Sequence, residues 1–128
     1  MNIAHVALWT HNLDAQVHFW ETVFGGQRNE RYLSKNRPGF KSHFITLSDG
    51  PTIELMTVPD LPDRPSHPEF VGWAHIALNV GSKADVDRMA EQARLNNTLL
   101  SAPRMTGDGY YEAVIADPDG NRIELVGE

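Results

Sequence analysis

Ala4-His5-Val6-Ala7-Leu8 and Ala74-His75-Ile76-Ala77-Leu78 are the stretches whose reading decides the fold. Their histidines stand 70 positions apart, each at the centre of a short run that alternates small or polar residues with aliphatic ones, the pattern of a half-buried strand. The same offset relates Asp49-Gly50 and Ile53-Glu54-Leu55 to Asp119-Gly120 and Ile123-Glu124-Leu125. Two strand pairs recurring in one register mean that the chain is two copies of one supersecondary unit.

Working outward, alternation sets Ile3, His5, Ala7 and Trp9 on one face of the first strand and Val6 and Leu8 on the other. Asn12 is placed to cap a helix whose apolar stripe of Leu13, Val17, Trp20 and Phe24 would cover the Val6/Leu8 face, and Gly25-Gly26 would end it. A weak strand over 27–34, a turn at Pro38-Gly39, a strand over 40–47 and another over 52–57 complete a β, α, β, β, β module. Pro59, Pro62, Pro65 and Pro68 mark an extended connector. The order then repeats: a strand over 73–80, a helix opening at Ser82 with Asp85 in a capping-box pattern and Val86, Met89, Ala90 and Ala93 on its apolar stripe, and a stop at Asn96-Asn97. Strands near 98–102, 110–116 and 122–126 follow. The expected architecture is α+β: a single domain over 1–128, with module 1 at about 1–58, a connector at about 59–72 and module 2 at about 73–128, their curved mixed sheets enclosing a cleft.

With 128 residues the chain can bury a core without staples, and its lack of cysteine excludes disulfides and thiolate chemistry. A formal charge of -6 argues against nucleic acid and anionic membrane surfaces as partners. Met1 leads directly into the first strand without a signal-like segment, and no apolar run approaches spanning length, so a soluble cytoplasmic protein is expected.

His5, Glu54, His75 and Glu124 occupy strand centres on the face opposite the helix-covered aliphatics. A lone strand histidine is more often a hydrogen-bonded core residue than a ligand. Carboxylates at both copies of an inward position, however, are costly unless paired or bound to a cation. Two imidazoles and two carboxylates form an N2O2 set suited to a borderline divalent ion: zinc or nickel first, with cobalt, iron or manganese as alternatives.

In Ala4-His5-Val6-Ala7, in Trp73 to Leu78 and in Asp117-Pro118-Asp119-Gly120-Asn121-Arg122-Ile123-Glu124-Leu125 the chain resembles, over essentially its whole length, the vicinal oxygen chelate superfamily of glyoxalase I, epimerases, extradiol dioxygenases, fosfomycin-resistance transferases and bleomycin-binding proteins. The His, Glu, His, Glu order is most similar to glyoxalase I. Dioxygenases and fosfomycin enzymes use ligands at the positions of His5, His75 and Glu124, with a non-ligand at Glu54, and epimerases commonly carry Gln there. The resemblance implies a metal-dependent lyase or isomerase of the lactoylglutathione lyase type, in which a proton is removed beside a metal-chelated carbonyl/hydroxyl pair and the enediolate is stabilised. Glu124, or failing it Glu54, would be the base. Its expected partners are a small-molecule substrate and a second copy of the chain. A methylmalonyl-CoA-epimerase-like isomerase, a metal-free bleomycin-type binding protein and an extradiol dioxygenase are the alternatives.

Two departures bear on the substrate. Where glutathione-using relatives place an Arg four residues after the first ligand and an Asn a few residues after the second, this chain has Trp9 and Val58, which makes glutathione use doubtful and points to a more apolar or aromatic substrate. Trp9, Phe44, Thr46, Met56, Arg104 and Val114 are the substrate-binding candidates, with Glu112 also on the inward face. Tyr110 and Tyr111, beside Gly107 and Gly109, could form a lid. His11, His18, His43 and His67 have no echo at the offset and are expected at the surface.

Overall fold

The computed structural model describes every residue from Met1 to Glu128, and the chain divides at Arg64/Pro65, within the proline-rich stretch, into two units of like topology. The first contains β1 (His5–Trp9), α1 (Leu13–Phe24), β2 (Gln27–Arg28), β3 (Tyr32–Leu33), β4 (Lys41–Thr46) and β5 (Thr52–Thr57). Its sheet runs β1-β5-β4-β2, with β3 also on β4; β1 is parallel to β5 and the remaining pairs are antiparallel. The second contains β6 (Ile76–Gly81), α2 (Lys83–Leu95), β7 (Leu99–Met105), β8 (Tyr111–Ala116) and β9 (Arg122–Gly127), in the order β6-β9-β8-β7, with β6 parallel to β9. The repeat extends to register: Ala7 lies opposite Glu54 and Ala77 opposite Glu124, while Phe44 faces Glu54 across the antiparallel pair as Val114 faces Glu124. The fold is α+β with two mixed sheets, each covered on one face by a helix.

In the first unit the Asn12 side chain accepts the Ala15 N–H at 3.0 Å, and Gly25 turns left-handed at φ 66°, which lets the Gly26 N–H cap the Trp20 carbonyl. The buried face of α1, Leu13, Gln16, Val17 and Trp20, packs over β4 and β5, where Ile45, Ile53 and Leu55 are buried. Each such aliphatic side chain contributes about 1.5–3 kcal/mol of burial. Val6 and Leu8, on the edge strand, are only partly covered. Gln16 is tolerated in the core because the Trp20 indole N–H donates to its Oε1 at 3.2 Å.

In the second unit Ser82 and Asp85 form a reciprocal capping box, and Val86, Ala90 and Ala93 pack against Ala113, Ile115, Ile123 and Leu125. The alanines let α2 approach closely. The Asp117 to Asn121 turn is held by Asp117, whose carboxylate accepts the backbone N–H groups of Asp119 and Asn121 and the Asn121 amide, at 2.8 to 2.9 Å. That turn sets the start of β9 and therefore the height of Glu124.

Four expectations need correction. The 27–34 strand is two fragments, because the ladder breaks over residues 29–31: the Asn29 N–H still donates to the Phe44 carbonyl, but the Phe44 N–H is taken by the Asn29 side chain. The strand expected from 73 begins at Ile76, since Trp73, Ala74 and His75 are exposed and outside the ladder, so His75 stands just before β6 and His5 at the first residue of β1, neither at a strand centre. β7 runs on to Met105 through two register shifts, the second of which, between Ser101 and Arg104, absorbs Pro103, which cannot donate to a ladder. His43 is buried, sharing the helix-covered face with Ile45, and its Nδ1–H donates to the Asn29 carbonyl at 3.0 Å. No helix is long and apolar enough to cross a membrane.

Candidate active site

Each unit brings one histidine against one carboxylate. His5 and Ala7 share a face of β1, and β5 places Glu54 beside Ala7, whose methyl group leaves room for the imidazole to lean over. His5 Nε2 lies 3.5 Å from Glu54 Oε2. In the second unit Glu124 again lies beside the alanine, Ala77, and His75, one residue before β6, brings its Nε2 to 3.4 Å from Glu124 Oε2. The carboxylates are the sheltered members, 19% and 17% exposed at the side chain, against 46% and 44% for the imidazoles. No group of three or more His, Cys, Asp or Glu side chains is drawn together within the chain as a metal-donor cluster.

These separations exceed the 2.7–2.9 Å typical of a charge-assisted hydrogen bond. They do match another geometry: two donors each about 2.1 Å from a tetrahedral ion are about 3.4 Å apart. By donor type and spacing, both pairs fit a divalent cation, with two protein donors each.

The surroundings differ between the units. Beside His5, the Phe44 ring makes an edge contact at 5.6 Å, and Met56 lies next to Trp9 in register. Phe44 and Met56 are half-buried on this face, whereas Thr46 is exposed near its rim. In the second unit a cleft of about 460 Å³ is lined by His75, Thr106, Asp108, Tyr110, Glu112 and Glu124 among others. Tyr110 thus reaches the cleft, while Tyr111 bonds Asp87 through its hydroxyl. Val114 is half-buried, in register with Glu124, and Arg104 reaches Glu112, Nη2 to Oε1 at 3.9 Å, without lining the cleft.

Glu112 is one of three carboxylates lining this cleft, with Asp108 and Glu124. Burial pushes its pKa up first, followed by a hydrogen bond with Glu124 and the negative charge of that neighbour, with Arg104 opposing. Thr106 and Asp108, which bond each other through their side chains, were not legible as site residues; the only signal was their place in the Gly107/Gly109 loop.

Residues 2–125 match the family model of the Glyoxalase/Bleomycin resistance protein/Dioxygenase superfamily. The chain belongs to that superfamily. Among its relatives are the uncharacterized protein PA2024 of Pseudomonas aeruginosa, 30% identical over 96% of this chain and 86% of that one, and the uncharacterized protein YwkD of Bacillus subtilis, 25% identical over 97% and 94%. Among solved structures, a glyoxylase/bleomycin resistance protein/dioxygenase domain from Frankia superposes over 100% of this chain and 93% of its own, with a TM-score of 0.84 at 16% identity. Glyoxalase I from Zea mays superposes with a TM-score of 0.78 at 18% identity, over 99% of this chain and 44% of that one. These likenesses establish the fold.

Proposed function

We propose that the protein is a metal-dependent, glyoxalase I-like lyase or isomerase, in which His5, Glu54, His75 and Glu124 supply the protein donors of one divalent centre. The observation that carries this reading is the equality of the two His–Glu spacings, 3.5 and 3.4 Å, at the separation of neighbouring donors on one ion. Nickel or zinc suits an imidazole and carboxylate set, and cobalt, manganese or iron would also bind it. When bound, the cation would, with one Glu displaced to make room, polarise adjacent carbonyl and hydroxyl oxygens of a small substrate and so acidify the neighbouring C–H.

The residues divide the remaining work. Glu124 takes the C–H proton on a carboxylate oxygen and returns it to the neighbouring carbon; Glu54 is the second choice for this role. Phe44 and Met56 keep the His5 side apolar, while Thr106 and Tyr110 line the Glu124 side. With Trp9 and Val58 in place of glutathione-gripping residues, the substrate is one that does not rely on a glutathione peptide. A homodimer acting as a single functional unit completes the proposal.

The test is proton exchange. Protein loaded separately with nickel, zinc, cobalt, manganese or iron is incubated in D2O with hemithioacetals of methylglyoxal and with simple α-hydroxyketones. Proton NMR should show metal-dependent loss of the C–H signal adjacent to the carbonyl, abolished in Glu124→Gln. No exchange with any metal would overturn the reading.

A further inference from the structure

A guanidinium packed against two aromatic rings stands on the same unit as His5 and Glu54. Arg37, in the turn before β4, lies over the Trp9 ring at 5.5 Å and over the Phe40 ring at 5.9 Å. Trp9 and Phe40 meet edge to face at 6.1 Å, and Tyr32 packs on Phe40 at 6.3 Å. The turn itself is fixed. The Arg37 N–H donates to Ser34 Oγ at 3.0 Å, the Phe40 N–H to the Arg37 carbonyl at 3.1 Å and the Ser34 N–H to the Phe40 carbonyl at 3.1 Å. Gly39, at φ 83°, lies so close to the Pro59 ring that a Cβ there would come within 2.4 Å of it.

This arginine has no acidic partner. Arg28, Arg88, Arg94 and Arg104 each pair with a carboxylate, and Arg37 does not. The guanidinium packs on the two rings, and its fork of N–H donors carries no hydrogen bond to a carboxylate and can take an anion. Trp9 remains 42% exposed and Tyr32 55%, so apolar surface is still open around that edge. Trp9 is four residues beyond His5 on the same strand face, about 13 Å along the strand.

We propose that Arg37, presented by Trp9 and Phe40, is a carboxylate-recognition site for substrates that carry an anionic group on an apolar or aromatic stem, at the far end of the molecule from the reacting carbon. This rests on the reading of His5 and Glu54 as part of the reaction centre, and it alters what Trp9 alone suggested. The Trp9 surface is aromatic, but a cation sits on it.

The experiment titrates the metal-stripped full chain with 2-naphthoate and with its neutral primary amide, following the Trp9 indole N–H by NMR. The acid should bind at least about fivefold more tightly than the amide, the effect expected of a charge-assisted hydrogen bond discounted for exposure. Arg37→Gln should erase that preference, Arg37→Lys should keep only part of it, and Lys35→Gln, two residues earlier in the turn, should leave it intact. Equal affinities in the wild type, or a preference that survives Arg37→Gln, would overturn the proposal. If Arg37→Gln does not fold, full retention of the preference in Arg37→Lys would overturn the role given to the rings. Because metal is absent from the titration, failure of the metal reading shows separately, as an absence of metal uptake with the acid preference still present.

Discussion

Replacing Gly127 with Ala probes the contact that ties Glu124's strand to the start of α2. A Cβ at Gly127 would lie 2.7 Å from the Ser82 carbonyl oxygen, 2.7 Å from Val86 Cγ2 and 2.9 Å from the Ser82 carbonyl carbon. Two of these three are backbone atoms of the helix cap, which cannot rotate away as a side-chain tip could. The capping box and the Glu128 N–H bond to the Gly81 carbonyl at 2.9 Å hold that backbone in place, so α2 or β9 must shift. Overpacking of this kind costs about 1–3 kcal/mol. With an unfolding entropy of about 2.1 cal/mol/K per residue, this chain should have roughly 0.27 kcal/mol/K, and Tm should fall by about 4–11 °C. Gly107→Ala is the control: no atom lies within 4 Å of its Cβ position and its φ is not positive, so it should stay within about 0.5 kcal/mol of the wild type. Urea and thermal unfolding measure both. A Gly127→Ala protein as stable as the control would refute the close approach.

Leu55 and Leu125 are related by the repeat and each is fully buried; Leu→Ala at either should cost about 2–5 kcal/mol in urea unfolding, with a loss below 1 kcal/mol contradicting the core assignment. Hydrogen bonds from the Ser82 side chain and backbone, then from Arg88, hold the Asp85 carboxyl down at about 2, against 3.8 ordinarily. A depressed folded-state pKa stabilises above the unfolded value and ceases to do so as pH falls through the folded one. Asp85→Asn should therefore be less stable than the wild type at pH 6, with the gap closing between pH 4 and 2 in a urea series. Ser82→Ala, which removes the cap itself, should cost about 1 kcal/mol at neutral pH. Free metal at 100 times its Kd should stabilise the fold by about 2.7 kcal/mol, raising Tm by about 10 °C in a thermal scan, and the gain should shrink in Glu54→Gln.

The offset of 70 made most of this fold readable because it supplied a second copy against which each assignment could be checked. Both helix caps followed from local chemistry: Asn12 with Gly25 at one helix, Ser82 with Asp85 at the other. His43 was misplaced because its lack of an echo outweighed its parity with Ile45, which already put it on the covered face. Trp73 and Ala74 looked like strand by alternation, but pairing with β9 begins only at Ile76. Contacts made by loops were the least legible. Nothing local to Arg37 indicates that its side chain ends on Trp9, and nothing local to Glu112 that it shares a hydrogen bond with Glu124. Both depend on how distant segments are brought together by the sheets.

Counting bound metal by elemental analysis, in the wild type and in His5→Ala and His75→Ala, tests the central claim most directly. If all four side chains serve one centre, protein prepared without chelator should carry about one divalent ion per chain, and either substitution should remove it. Two ions per chain with each variant losing one, or no ion in the wild type even after incubation with nickel and zinc, would contradict it.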